Sequence, residues 1–141
     1  MGKNIDRDLL ELRGSSISYF TGKMENYFRL KGIPYRLESM VFPGEVERNI
    51  KVLGISQMPT VQLADGRWMT DTTAMIEWFE SEYPDNSVVP DDPAQAFVCF
   101  LLEDWADEWW WRPAMHYRWF YEEGAPVSYT HLRAHETSEN L

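Results

Sequence analysis

A chain of 141 residues, 44% apolar and 26% charged, has the composition of a globular protein with room for one domain and the beginning of another. Its formal net charge of −10 and the lack of a basic stripe exclude nucleic acid and anionic lipid as expected partners, and no run of eighteen apolar residues is present to span a membrane. The single cysteine, Cys99, excludes an internal disulfide, a CxxC redox pair and a cysteine-rich zinc site, which suits a reducing cytoplasm.

The first fourteen residues carry no apolar secretory core, and Asp6 stands where a myristoylation pattern needs Ser or Thr. Leu9 to Arg13 then reads as a short strand followed by a Gly-Ser-Ser loop. From about Phe20 to Lys31, the apolar residues Phe20, Met24, Tyr27, Phe28 and Leu30 recur at helical spacing. Lys31-Gly32 closes that helix with a basic last turn and a glycine, and Pro34 prevents its continuation. Tyr35 to Met40 alternates as a second strand, and Val46, Ile50 and Leu53 space a short second helix that Gly54 stops. Pro59 precedes a strand TVQL, Ala64-Asp65-Gly66 forms a hairpin turn, and RWM is the returning strand. Thr70, Asp71 and Thr72 compete to cap a third helix that buries Ala74, Met75, Trp78 and Phe79 and ends near Tyr83-Pro84.

DNSVVPDDP has the composition of a linker, and Asp91 or Asp92 can cap a helix with Pro93 at its first position. Phe97, Leu101, Trp105 and Trp109 follow at four-residue steps as one apolar stripe, of which Trp105 and Trp109 are read as core, and Pro113 is expected to break the helix. Three consecutive tryptophans, Trp109 to Trp111, cannot all point inward on one helix. Cys99 reads as a small buried hydrophobe and His116 as a packing histidine. A second helical pattern, AMHYRWFYEE, leads into VSYTHLRAHETSENL, which has no helical or strand period and resembles the in-frame translation of a sequencing adapter. Residues 127–141 are therefore expected to be a non-native tail, and no metal is assigned to His131 and His135. The expected organisation is residues 1–84 as an α/β domain of order βαβαββα, a linker over 85–93, and the truncated start of an all-α domain over 94–126.

That order is thioredoxin-like, and four ordered segments make the chain resemble the cytosolic glutathione transferase superfamily. SYFTGKMENYFRLKGIPY is similar to the family's catalytic loop, first helix and following turn, and QMPT to its cis-proline motif. DGRWMTDTTAMI is similar to its hairpin and acidic-hydroxyl helix start, and DNSVVPDDPAQA to its interdomain linker. The resemblance implies a glutathione site in which the backbone of Met58, presented by Pro59, pairs with the cysteinyl part of the tripeptide. It also implies that Asp71 and Thr72 at a helix N-terminus hold the γ-glutamyl end, with Gln57 a further residue within reach of the ligand. Ser18 or Tyr19 would stabilise the thiolate. Pro59 as an ordinary trans strand-start proline, and Asp71 and Thr72 as only a cap, are the alternatives to this favoured reading. The implied function is attack of glutathione's thiol on an apolar electrophile by a cytoplasmic protein that is a homodimer at full length, with no metal. The alternative is a non-catalytic binding or assembly module of the same superfamily.

Overall fold

Strand β1 (Leu10–Gly14) leads through a short loop into helix α1 (Tyr19–Lys31) and returns as β2 (Tyr35–Ser39). Helix α2 (Glu45–Leu53), strands β3 (Thr60–Gln62) and β4 (Trp68–Thr70), and helix α3 (Thr72–Glu82) complete the order βαβαββα. These elements come from a computed structural model that describes residues 9–40, 44–127 and 129–130. They lie in the first of two compact units, Met1–Asn86 and Ser87–Leu141. The four strands form one sheet of order β2-β1-β3-β4, with β1 parallel to β2, and β3 antiparallel to both β1 and β4.

The helix ends follow from local chemistry. Gly32 and Gly54 take φ of 67° and 78° after α1 and α2, a left-handed conformation that glycine reaches without a Cβ penalty. Along β1 the side chains alternate: Leu10 and Leu12 are buried, while Arg13, on the opposite face, reaches Glu45 of α2 at 3.1 Å. The core is built from Leu12, Met24, Phe28, Val61, Met75 and Phe79, with the Phe28 and Phe79 rings edge-to-face at 4.9 Å and joining α1 to α3.

Two faces differ from the helical periodicity. In α2 the apolar Val46 and Ile50 are exposed and the inward residue is Asn49. In α3 Ala74 is exposed, and Thr72, Met75 and Phe79 are the buried residues. Spacing reports which residues share a face but not which face meets the sheet.

In the second unit, α4 (Pro93–Trp105) is capped by Asp92, whose Oδ1 accepts from Ala94 and Gln95 N–H at 3.1 and 2.9 Å. A π-helical turn, Ala106–Trp110, and α5 (Trp111–Trp119) follow without a break. Pro113 therefore does not end the helix. Proline removes the N–H that would reach the carbonyl four residues back, and the chain widens into the π turn just before it and continues. Phe97, Leu101, Trp105 and Trp109 are all exposed, correcting the reading of Trp105 and Trp109 as core, because the described residues of this unit supply no surface to cover that stripe. Cys99 is exposed as well. His116 does pack, stacked on Phe120 at 4.5 Å, although on an exposed surface. Residues 124–127 and 129–130 are helical despite their irregular sequence, while His131 and His135 lie outside the described residues. No helix among the described residues is long and apolar enough to cross a membrane.

Candidate functional site

The sheet register gathers three separate segments. Arg13 of β1 pairs with Thr60 of β3, and Thr60 pairs with Thr70 of β4. One step further along this row come Gly14, Pro59 and Asp71, so the Ser15–Ser18 loop, Met58-Pro59 and Asp71-Thr72 all leave the same end of the sheet.

The first segment is held by Thr21. Its Oγ1 accepts from Ser15 N–H at 3.2 Å, and a Cβ on Gly14 would lie 2.7 Å from its Cγ2 and closer still to its Oγ1. Glycine is required there by contact. Ser18 is the N-cap of α1: its N–H donates to Ser15 O at 2.9 Å, and its Oγ accepts from Thr21 N–H at 3.3 Å. That bond uses a lone pair of the hydroxyl and leaves its proton available. The group stands where α1 ends in orphan amides and the positive pole of its dipole, an environment that favours a thiolate. Tyr19, the next residue, is 48% exposed.

In the second segment the Met58–Pro59 bond is cis and Pro59 is fully buried. The main-chain N–H and C=O of Met58 make no hydrogen bond among the described residues. Gln57 is gripped twice, its carbonyl by Asn49 Nδ2 at 3.0 Å and its side-chain Oε1 by the Thr70 hydroxyl at 3.2 Å. With Oε1 engaged, the amide NH2 of Gln57 is the end left for a ligand.

The third segment is strained. Asp71 has φ 72° and ψ 108°, a region that costs a non-glycine residue about 1–3 kcal/mol. Its Oδ1 caps α3 by accepting from Thr73 and Ala74 N–H at 3.1 and 3.3 Å. The helix terminus is thus less open than its sequence implied, since two of its amides are already taken. What remains is the N–H and hydroxyl of buried Thr72, neither bonded among the described residues, and the second oxygen of Asp71. Together these offer donors for a carboxylate beside an acceptor for an ammonium.

All seven residues singled out in the sequence (Ser18, Tyr19, Gln57, Met58, Pro59, Asp71 and Thr72) belong to these segments. Asn49 and Thr70, which hold Gln57, and Gly14 and Thr21, which hold the first loop, were missed. The one signal for Asn49 was its position in the helical repeat, three residues after Val46 and four before Leu53. Among the described residues no group of three His, Cys, Asp or Glu side chains could hold a metal ion.

A family model described as glutathione S-transferase, N-terminal domain, matches residues 12–87. Glutathione S-transferase U4 of Arabidopsis thaliana is 21% identical over 99 residues, covering 70% of this chain and 44% of the relative. Similar solved structures include a tau-class glutathione S-transferase from mango, Mangifera indica, at 15% identity and a TM-score of 0.66, covering 75% of this chain and 49% of that one. A glutathione transferase homolog from Sulfitobacter, with bound glutathione, is 16% identical with a TM-score of 0.64, covering 79% of this chain and 54% of that one. The chain spans less than half the length of the curated relative it matches.

Proposed function

The chain belongs to the glutathione S-transferase family, whose N-terminal domain its residues 12–87 match, and on that premise we propose that its first unit binds glutathione and activates the thiol for attack on an electrophilic small molecule. The observation that carries the reading is the main chain of Met58, unbonded among the described residues, at the same end of the sheet as a Thr72 N–H likewise unbonded and the Ser18 N-cap.

The cysteinyl part of glutathione pairs with Met58 N–H and C=O like an added strand. The γ-glutamyl carboxylate takes the Thr72 N–H and hydroxyl, its ammonium takes the free oxygen of Asp71, and the Gln57 amide donates to the same end of the ligand. Local donors of this kind let an anionic tripeptide bind a chain whose net charge is −10. The Ser18 hydroxyl donates to the sulfur and lowers the cost of losing the thiol proton to water; the thiolate then forms the new carbon–sulfur bond as the electrophile's leaving group departs with its bonding pair. Tyr19 is the second candidate for that role, although its exposure favours Ser18. A structure of the Sulfitobacter homolog holding glutathione supports the choice of ligand.

The domain roles belong to the same reading: residues 1–84 bind glutathione, 85–93 link, 94–126 begin the helical domain that shapes the electrophile pocket, and 127–141 form a non-native tail. In the full-length protein this arrangement works as a cytoplasmic homodimer. A second reading is a non-catalytic binding or assembly module that keeps the same glutathione contacts without turnover.

Isothermal titration with glutathione, paired with a thiol-conjugation assay, tests both readings. Binding with turnover that Ser18→Ala abolishes supports the enzyme, and binding without turnover supports the module. No binding at millimolar glutathione refutes both.

A further inference from the structure

Asn49 is 1% exposed at the middle of α2, while its aliphatic neighbours Val46 and Ile50 face solvent. Its Nδ2 donates to Gln57 O at 3.0 Å and lies 3.7 Å from Met40 Sδ, and its Oδ1 is buried with no partner among the described residues. Burying an amide with one acceptor unmet is unfavourable. An aliphatic side chain would seat α2 better, so what the amide adds is its grip on Gln57.

That grip has a directional consequence. Gln57 C=O and Met58 N–H are the two ends of one trans peptide plane and point opposite ways. Holding the carbonyl toward α2 therefore aims the Met58 N–H away from α2. A hydrogen bond accepted by the carbonyl also polarises the N–H of the same peptide and strengthens it as a donor. Thr70 restrains the Gln57 side chain from the β4 side at 3.2 Å, so the residue is held from two elements, its peptide plane by Asn49.

We propose that Asn49 is a positioning residue for the thiol-peptide site, acting through the Gln57–Met58 peptide to orient the donor that receives glutathione's cysteinyl carbonyl. This rests on the glutathione reading above.

The test is Asn49→Leu in the full chain, which removes the donor and the unmet acceptor together. Glutathione binding by titration is expected to weaken about tenfold, the loss of one hydrogen bond, while the thermal midpoint stays the same or rises. Where turnover is measurable, KM for glutathione rises and kcat holds, as expected for uniform binding lost. A folded Asn49→Leu whose glutathione Kd stays within about twofold of the wild type overturns the proposal. Should that variant not fold, the Asn49 side-chain NH2 resonances of the wild-type chain decide. Slow exchange together with a shift on adding glutathione supports the assignment, and exchange at the free-amide rate overturns it. If the wild-type chain binds no glutathione, the functional reading fails separately. The clamp is then judged without ligand, by hydrogen exchange over residues 55–58: faster exchange in Asn49→Leu supports it and equal rates overturn it.

Discussion

Asp71 performs two tasks at once, and substitutions can separate them. Its carboxylate caps α3, while its φ of 72° is a conformation that glycine adopts freely. Asp71→Ala removes the cap and keeps the strain, and is expected to cost about 1 kcal/mol in urea unfolding. Asp71→Gly also removes the cap but relieves the strain, so its stability should stay within about 0.5 kcal/mol of wild type. Glutathione affinity should fall alike in both, because each lacks the oxygen proposed to meet the ammonium. Gly14 is the other residue whose identity is dictated by a contact. Gly14→Ala drives a methyl into Thr21 and is expected to cost about 1–3 kcal/mol by chemical denaturation. Adding Thr21→Ala should recover part of that loss, since the two sites are in contact and their effects cannot be additive. The capping role of Asp71 was legible from TDTT ahead of an apolar run, but its backbone angle was not, because strain at one residue is imposed by the hairpin and sheet on either side. Gly14 was read only as the start of a loop, because its neighbour Thr21 approaches it through the turn of a helix.

At the scale of elements, α1 and α3 are joined by aromatic packing and by one polar cluster. Tyr27 OH donates to Glu80 Oε1 at 2.8 Å, and Lys31 Nζ meets the same oxygen at 3.0 Å. Burial, then the hydrogen bond to Glu80 and its negative charge, push the Tyr27 phenol well above its ordinary value. The folded state thus holds the phenol proton more tightly than the unfolded chain does. The linked stability is complete below an ordinary tyrosine's pKa of about 10 and is lost as pH rises beyond it. Tyr27→Phe should cost about 1.5–3 kcal/mol at neutral pH, the range for a hydrogen bond to a charged group, and should flatten the decline in stability above about pH 10. Thermal melts across that range check both. Element boundaries were readable in both units because caps, glycines and prolines act locally: Gly32, Gly54, Asp92 and Pro93 each stand at the helix end their chemistry suggests. The inward face of α2 was not readable. Which side of a nine-residue helix is buried depends on the sheet beneath it, and there a carbonyl at Gln57 selects Asn49 over Val46 and Ile50. Likewise Pro113 was expected to end a helix that instead continues through a π turn, since the chain has more than one way to accommodate a missing amide.

For the molecule as a whole, the two units differ in where their apolar residues go. The first encloses Phe28 and Phe79 completely, while the second leaves Phe97, Trp105, Trp109, Trp110 and Trp111 between 43% and 66% exposed. Phe28→Ala should therefore cost about 3–5 kcal/mol, a buried aromatic lost with its cavity. Phe97→Ser should stay within about 0.5 kcal/mol, as for an ordinary surface change. Urea midpoints of the two variants test that contrast directly. The same difference explains why the thioredoxin-like unit could be read from its sequence and the helical unit only in outline. Periodicity is a sound guide to burial where the covering surface belongs to the same stretch of chain, and the stripe on α4 has no such cover among the described residues.

Of the four lysines in the chain, Lys31 is the one with an ion pair to Glu80, and its side chain is 0% exposed, its ammonium also donating to Asp85 O at 2.7 Å and Asn86 O at 3.3 Å. An acylating reagent that needs a free, uncharged amine cannot reach it while α1 and α3 stay together. The time Lys31 takes to be labelled, set against freely accessible amines in the same tube, is a clock for the opening of the first unit, readable by mass spectrometry without any substitution in the chain.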